Sequence, residues 1–319
     1  MNEKWRRFIA VPAIAAVSYA LVQSPFVEQY ITEIKDRPME AASQKDPLFA
    51  EINSKAKEYE QAPTDARIDP VWKTIPGHNG LKVDIEASYK KMKPDGLFDE
   101  KKLIYKQVSP KVHIKDLKPA PIYKANPEKP AVSFLINVAW GNEYLQEMLE
   151  TLKKHEVKAT FFLEGRWAKN NPVLAEMIAE GGHEIGNHSY SHPLMENISA
   201  GKTREEIIKT NEAIEAVTGV KCKWFAPPSG SFRDETVDIA HSLNLGTILW
   251  SVDTIDWQKP TPEVLTKRVL DKVHPGAFVL MHPTESTSRS LEILITNIKK
   301  KNLHIVTVSE AVSEERIMH

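Results

Sequence analysis

The run Gly182-His183-Glu184-Ile185-Gly186-Asn187-His188-Ser189-Tyr190-Ser191-His192-Pro193 reads as a short strand, His183 to Asn187, followed by two histidines four residues apart. Two imidazoles at that spacing converge on one metal ion if the segment turns through roughly one helical turn. Strand-like runs of the same kind recur at Val132–Val138, Ala159–Leu163, Lys223–Ala226, Gly246–Val252, Ala277–Met281 and His304–Val308. Helical patterns lie between most of them: Leu145, Met148, Leu149 and Leu152 share one face, and Ile207, Ile208, Ile214 and Val217 share another. Strands alternating with helices predict an α/β fold with a parallel sheet, and seven strands suffice to curl into a barrel.

The polar residues fit this arrangement. Asn137, Glu164, His188, Asp253 and His282 each stand at or just past the end of a different predicted strand. In a parallel barrel those ends open on one side, so residues far apart in sequence would meet over one mouth.

Outside that core the chain changes texture. Lys4, Arg6 and Arg7 precede an apolar run from Phe8 to Val22, the pattern of a signal peptide or uncleaved signal-anchor over residues 1–27. This predicts export, with the protein at the cell membrane on its extracytoplasmic side. Residues 28–66 are polar, show no clear apolar stripe and read as a helical stalk or disordered spacer. Residues 67–118 read as a small α+β module. In it, Val71–Ile75 and Leu81–Ile85 flank a Pro76-Gly77-His78-Asn79-Gly80 turn, a strand-turn-strand pattern. A proline-rich linker at 119–130 leads to the main domain, 131–319. A formal net charge of −1 offers no electrostatic case for a nucleic-acid partner. The single cysteine, Cys222, excludes an intramolecular disulfide and any multi-cysteine zinc site.

Four ordered motifs carry a resemblance. Gly182–Pro193 resembles the second motif of the NodB-homology polysaccharide deacetylases, a family of carbohydrate esterases. Phe225-Ala226-Pro227-Pro228-Ser229-Gly230 is similar to the family's R-P-P-Y-G element, Asp253-Thr254-Ile255-Asp256-Trp257 to its D-x-x-D-W, and Leu280-Met281-His282 to its closing L-x-H. The resemblance runs from about Pro130 to the C-terminus and is nearest to a sporulation branch of the family. It implies a distorted barrel that holds zinc and removes acetyl groups from N-acetylhexosamine polymers, so cell-wall glycan is the implied partner. By the same resemblance, His188 and His192 are metal ligands and His282 is the general acid. Asp253 orients that acid, Trp257 walls the sugar groove, and the backbone amide of Ser229 serves the oxyanion.

The first motif departs from the family. Where family members have a base aspartate followed by a ligand aspartate, this chain has Asn137 and Val138. An amide takes no proton at neutral pH, and an isopropyl group binds no zinc. Ala226 stands where the family has an arginine that holds the base. The losses cohere, because an arginine facing a neutral amide would be a charge without a counter-ion. Zinc binding would then be weak or absent unless Asp253, Asp256, Glu164 or Glu143 supplies the missing carboxylate. A feeble deacetylase and a pseudo-enzyme that binds glycan or scaffolds envelope assembly are both compatible with this pattern.

Overall fold

The computed structural model describes residues 46–317. The signal-anchor expected at 1–27 and the first part of the stalk lie outside the described residues. Among the described residues, no helix is long and apolar enough to cross a membrane. The chain runs first through α1 (Pro47–Lys55), β1 (Arg67–Asp69), β2 (Lys73–Ile75), β3 (Gly80–Val83), α2 (Ile85–Met92) and β4 (Tyr105–Val108). It divides into two compact units. One takes in the described residues up to Gln61 together with Leu81–Lys106, and the other Ala62–Gly80 together with the chain from Gln107 onward.

The elements before residue 110 correct two expectations. Residues 47–55, expected as polar stalk, form α1. Leu48, Ile52 and Ala56 recur four apart and bury a one-residue-wide stripe against Val83, Tyr89, Met92 and Leu103. Such a stripe is diluted by the charged residues around it, which is why it reads as polar. Asp46 caps the helix, accepting from the Leu48 amide at 2.9 Å, and also accepts from the Tyr89 hydroxyl at 2.8 Å. The strand-turn-strand expected across Pro76–Gly80 does not form as a hairpin. β2 pairs antiparallel with β1, and β3 pairs with β4. The effective turn is at Asp69-Pro70, where the Asp69 carboxylate accepts from the Val71 and Trp72 amides, each at 2.8 Å.

The larger unit holds the expected sheet. Its strands are β5 (Ala131–Val138), β6 (Thr160–Leu163), β7 (Glu184–Asn187), β8 (Trp224–Phe225), β9 (Gly246–Thr247), β10 (Val252–Asp253), β11 (Ala277–Met281) and β12 (His304–Ile305). They are joined in parallel in the order β10-β11-β5-β6-β7-β8-β9, and β12 pairs with the start of β5. The helices are α3 (Asn142–Lys154), α4 (Gly165–Asn170), α5 (Pro172–Glu180), α6 (Ala200–Thr218), α7 (Asp234–Ser242), α8 (Pro262–Lys272), α9 (Glu285–Lys300) and α10 (Val308–Val312). All eight residues of β5 are buried, as befits a central parallel strand covered on both faces. Val132, Phe134, Ile136 and Val138 join an outer core with Leu145, Met148, Leu265 and Leu294 of the helices. Leu135 faces inward with Phe162, Ala226, Ile248 and Phe278.

Two features of the barrel were not expected. The single run read at Gly246–Val252 is two strands, one at each extreme of the sheet. The Ile248 amide donates to Phe225 O at 2.8 Å and the Ser251 amide to Phe278 O at 3.1 Å, so this short crossing bends the sheet into a curve. The run read as a proline-rich linker packs into the barrel. Ile122 exchanges hydrogen bonds with Thr247 O and the Leu249 amide, both 2.9 Å, and Ile122 and Ala125 join the inner core. Prolines lack a ladder donor, so a segment can be proline-rich and still be interior where it needs few sheet bonds. Lys129 follows, fully buried, its ammonium donating to Ser313 O at 2.7 Å and to Glu310 O at the end of α10. Burial pushes its pKa down to about 8.

Candidate active site

The C-terminal ends of the strands open on a cleft of about 470 Å³, lined among others by Asn137, Trp140, His188, His192, Ser229, Asp253, Trp257 and His282. Four of the five strand-end residues singled out in the sequence, Asn137, His188, Asp253 and His282, are in this lining, which draws on five separate segments. Glu164 alone of that set is not in the lining.

Each side of the cleft has a distinct construction. His188 follows β7 and is buried, and its Nδ1 lies 2.8 Å from Ala226 O. A carbonyl only accepts, so Nδ1 carries the proton and Nε2 is the free acceptor. Burial first, then the neighbouring His192, pushes the His188 pKa down to about 3. The two rings lie 5.0 Å apart at 72°. Burial likewise lowers the pKa of His192, so both imidazoles are neutral at pH 7.

The loop between them is held by residues the sequence reading passed over. Asn187 donates to Ile207 O and Asn211 Oδ1, both 2.8 Å, and accepts from the Ser189 amide at 2.9 Å. Glu206, buried on α6, accepts from the amides of Tyr190 and Ser191 at 2.9 and 2.7 Å. These bonds stabilise Ser189 and His192 in the left-handed region, at φ 60° and 58°. Gly186 is required just before, because a Cβ there would sit 2.5 Å from the Phe162 ring.

On the opposite side His282 follows β11. Asp256 is fully buried and accepts from the His282 amide at 2.6 Å, from His282 Nδ1 at 2.8 Å and from the Thr287 hydroxyl at 2.7 Å. The orienting carboxylate is therefore Asp256, which corrects the assignment of that role to Asp253. Both residues belong to the same Asp253–Trp257 motif, and only the turn geometry decides which faces the histidine. Ile255, at φ 53°, turns the chain so that Asp256 points inward and Trp257 outward. A β-branched residue in that region is strained, and Asp253 Oδ1 offsets the strain by accepting from the Ile255 amide at 2.8 Å. Trp140 lies over His282 with ring centroids 5.8 Å apart and planes within 9°. Trp140 and Trp257 are 46% and 58% exposed, so both present indole faces to a ligand.

The positions that depart from the family divide. Asn137 lines the cleft, whereas Val138 is fully buried in the outer core and lines nothing. Ala226 packs in the inner core, and its carbonyl serves His188. Ser229 lines the cleft at φ 56°. Of the proposed substitute carboxylates Asp256 is taken up by His282, and neither glutamate is a free group at the histidine pair, although the Glu164 charge acts on His192. Glu164 is spent as the cap of α4, accepting from the Trp167 amide at 2.9 Å, and as partner of Arg166 at 3.2 Å. Glu143 lies in a neighbouring cleft with Tyr144, Lys259 and Arg289.

Zinc needs three or four donors. Among the described residues, no three His, Cys, Asp or Glu side chains are grouped so as to hold a metal ion. His188 and His192 come together as expected, but the donor set does not fit a zinc centre of the family's type.

A model of the polysaccharide deacetylase family matches residues 124–248. That span contains the histidine pair and stops short of Asp253, Asp256 and His282. Over its whole length the chain is 56% identical to an uncharacterized protein of Bacillus subtilis, YlxY, and covers all of it. It is 36% identical over 171 residues to a peptidoglycan-N-acetylglucosamine deacetylase of Bacillus cereus, covering 52% of this chain and 62% of that one. Among solved structures it resembles a CE4 family pseudoenzyme from Bacillus anthracis, at 55% identity and a TM-score of 0.82 over 86% of this chain and 97% of that one. A mutant of that pseudoenzyme with restored enzymatic activity matches at 54% identity and a TM-score of 0.81, over 85% of this chain and 99% of the mutant. The chain belongs to the CE4 family of polysaccharide deacetylases.

Proposed function

We propose that this protein is a glycan-binding pseudo-deacetylase of the cell envelope, holding peptidoglycan- or chitin-type polymer in its strand-end cleft with little or no turnover. The observation that carries the reading is the side chain at the end of β5. Asn137 offers an amide where hydrolysis needs a base, and neither Glu164 nor Glu143 compensates. Loss of a general base costs on the order of 10²–10⁴-fold in rate. The groove nonetheless keeps Trp140 and Trp257 exposed for stacking on sugar rings. The pseudoenzyme character of the Bacillus anthracis relative supports the reading, and the activity of its mutant indicates that such a scaffold is close to competence.

A weak deacetylase is the second reading, favoured by the complete His282–Asp256 pair and by Asp253, whose carboxylate lines the cleft as a substitute base. Acetate release from a chitooligosaccharide, measured beside binding to insoluble peptidoglycan, separates the two. Binding with no acetate above background supports the first. Turnover abolished by His282→Ala would establish the second. Envelope location and a membrane tether belong to the same proposal, supported by the basic and apolar residues 1–27, and a place in sporulation belongs to it on the motif resemblance alone. A topology reporter fused to the chain should signal outside the membrane; a cytoplasmic signal removes that assignment.

A further inference from the structure

Asn137 is 4% exposed, and its Oδ1 is buried with no hydrogen-bond partner among the described residues. Other buried atoms share that state, but Asn137 is the residue among them that lines the cleft. A buried acceptor left unmade is costly, and such atoms in folded proteins call for a partner. Because Asn137 lines the cleft, a donor carried by a ligand is placed to satisfy that oxygen. A carboxamide presents one carbonyl acceptor and an NH₂ donor. An acetamide presents the complement, one N–H and one carbonyl, and its methyl suits the apolar wall of Ala139 and Leu280. A free amino sugar differs in kind: at neutral pH it is an ammonium with donors only, and its natural partner in the lining is the Asp253 carboxylate.

We infer that Asn137 makes the cleft a reader of acetylation state, pairing its carboxamide with the intact acetamide of an N-acetylhexosamine so that acetylated polymer is held in preference to deacetylated. The inference rests on the glycan-binding reading above and adds to it a selectivity and the residue that sets it. In this role Asn137 does not replace a base. It converts a position that would consume the acetyl group into one that recognises it.

The test is titration of the full chain with fully acetylated chitotetraose and with its fully deacetylated counterpart, acetate being assayed in the same samples. Wild type should bind the acetylated tetramer about tenfold more tightly, the scale of one well-made hydrogen bond. Asn137→Leu, close in shape and without polar atoms, should bring that ratio near unity. Asn137→Asp should favour the deacetylated tetramer, because a carboxylate accepts from an ammonium, and it carries the test if the leucine variant does not fold. Equal wild-type affinity for both tetramers, or a preference that survives Asn137→Leu, overturns the inference while leaving glycan binding in place. No binding of either tetramer overturns the glycan reading itself, and the inference with it.

Discussion

The two walls of the cleft were built to different standards. On the His282 side the buried carboxylate is fully engaged: Asp256 carries three short hydrogen bonds and fixes the imidazole in one tautomer. On the side of Asn137, His188 and His192 the rings are neutral, the nearby carboxylate of Glu164 is committed to a helix cap and to Arg166, and an amide oxygen is unpaired. The first wall is a finished acid device, while the second has lost the parts that would make and hold an attacking water. A buried charge must keep its partners or leave with them, whereas a neutral orphan is tolerable and can be satisfied by a ligand. On the pseudo-deacetylase reading proposed above, that asymmetry explains how half of a catalytic site can fall silent without collapse of the groove.

The comparison can be broken most forcefully on its intact side. Asp256→Ala strips three hydrogen bonds from a buried position and should cost about 3–5 kcal/mol of unfolding free energy, read by denaturant titration. A loss under about 1 kcal/mol would mean that the network is ornamental.

Next comes a contrast on the depleted side. Val138→Asp places a carboxylate in the apolar outer core and should destabilise by about 2–4 kcal/mol. Asn137→Asp is also buried and unpaired but borders the cleft, where water and a proton reach it, so it should cost less, about 1–2 kcal/mol. Thermal unfolding of the two single variants decides this, and equal stability would show that position 138 turns toward the cleft.

Acid sensitivity sharpens the comparison from outside the cleft. His183 accepts from the Ala159 amide through Nδ1 at 3.2 Å and must be neutral to do so. Burial lowers its pKa, and that of His78, to about 4. A base whose folded pKa lies below its unfolded value stabilises the fold above the unfolded pKa and loses that contribution as pH falls toward the folded one. Stability should therefore drop between about pH 6.5 and 4, by up to about 3 kcal/mol per histidine. His183→Gln should flatten the slope; an unchanged slope assigns acid sensitivity to other groups.

The smallest effect is on affinity alone. Trp257→Ala removes an exposed indole, so it should leave unfolding unchanged and weaken binding of polymer by about 1 kcal/mol, seen as roughly fivefold in a pull-down titration.

The sequence by itself determined the fold class, the strand runs after Pro130, the meeting of distant strand-end residues and the family. The first three follow from local periodicity and from the rule that parallel strands present their C-terminal ends to one side, and the family from the resemblance of four ordered motifs. It also exposed the depleted first motif, since a missing carboxylate is a matter of residue type. Only the tertiary structure decided which of two aspartates serves His282, because Asp253 and Asp256 differ by one turn set by the left-handed backbone at Ile255. It alone showed Glu164 to be a helix cap, Val138 to face the outer core, the run at 246–252 to span both extremes of the sheet, and the proline-rich run to be interior. Each of these depends on where a side chain or backbone group points once distant segments have packed, and no local pattern encodes that direction.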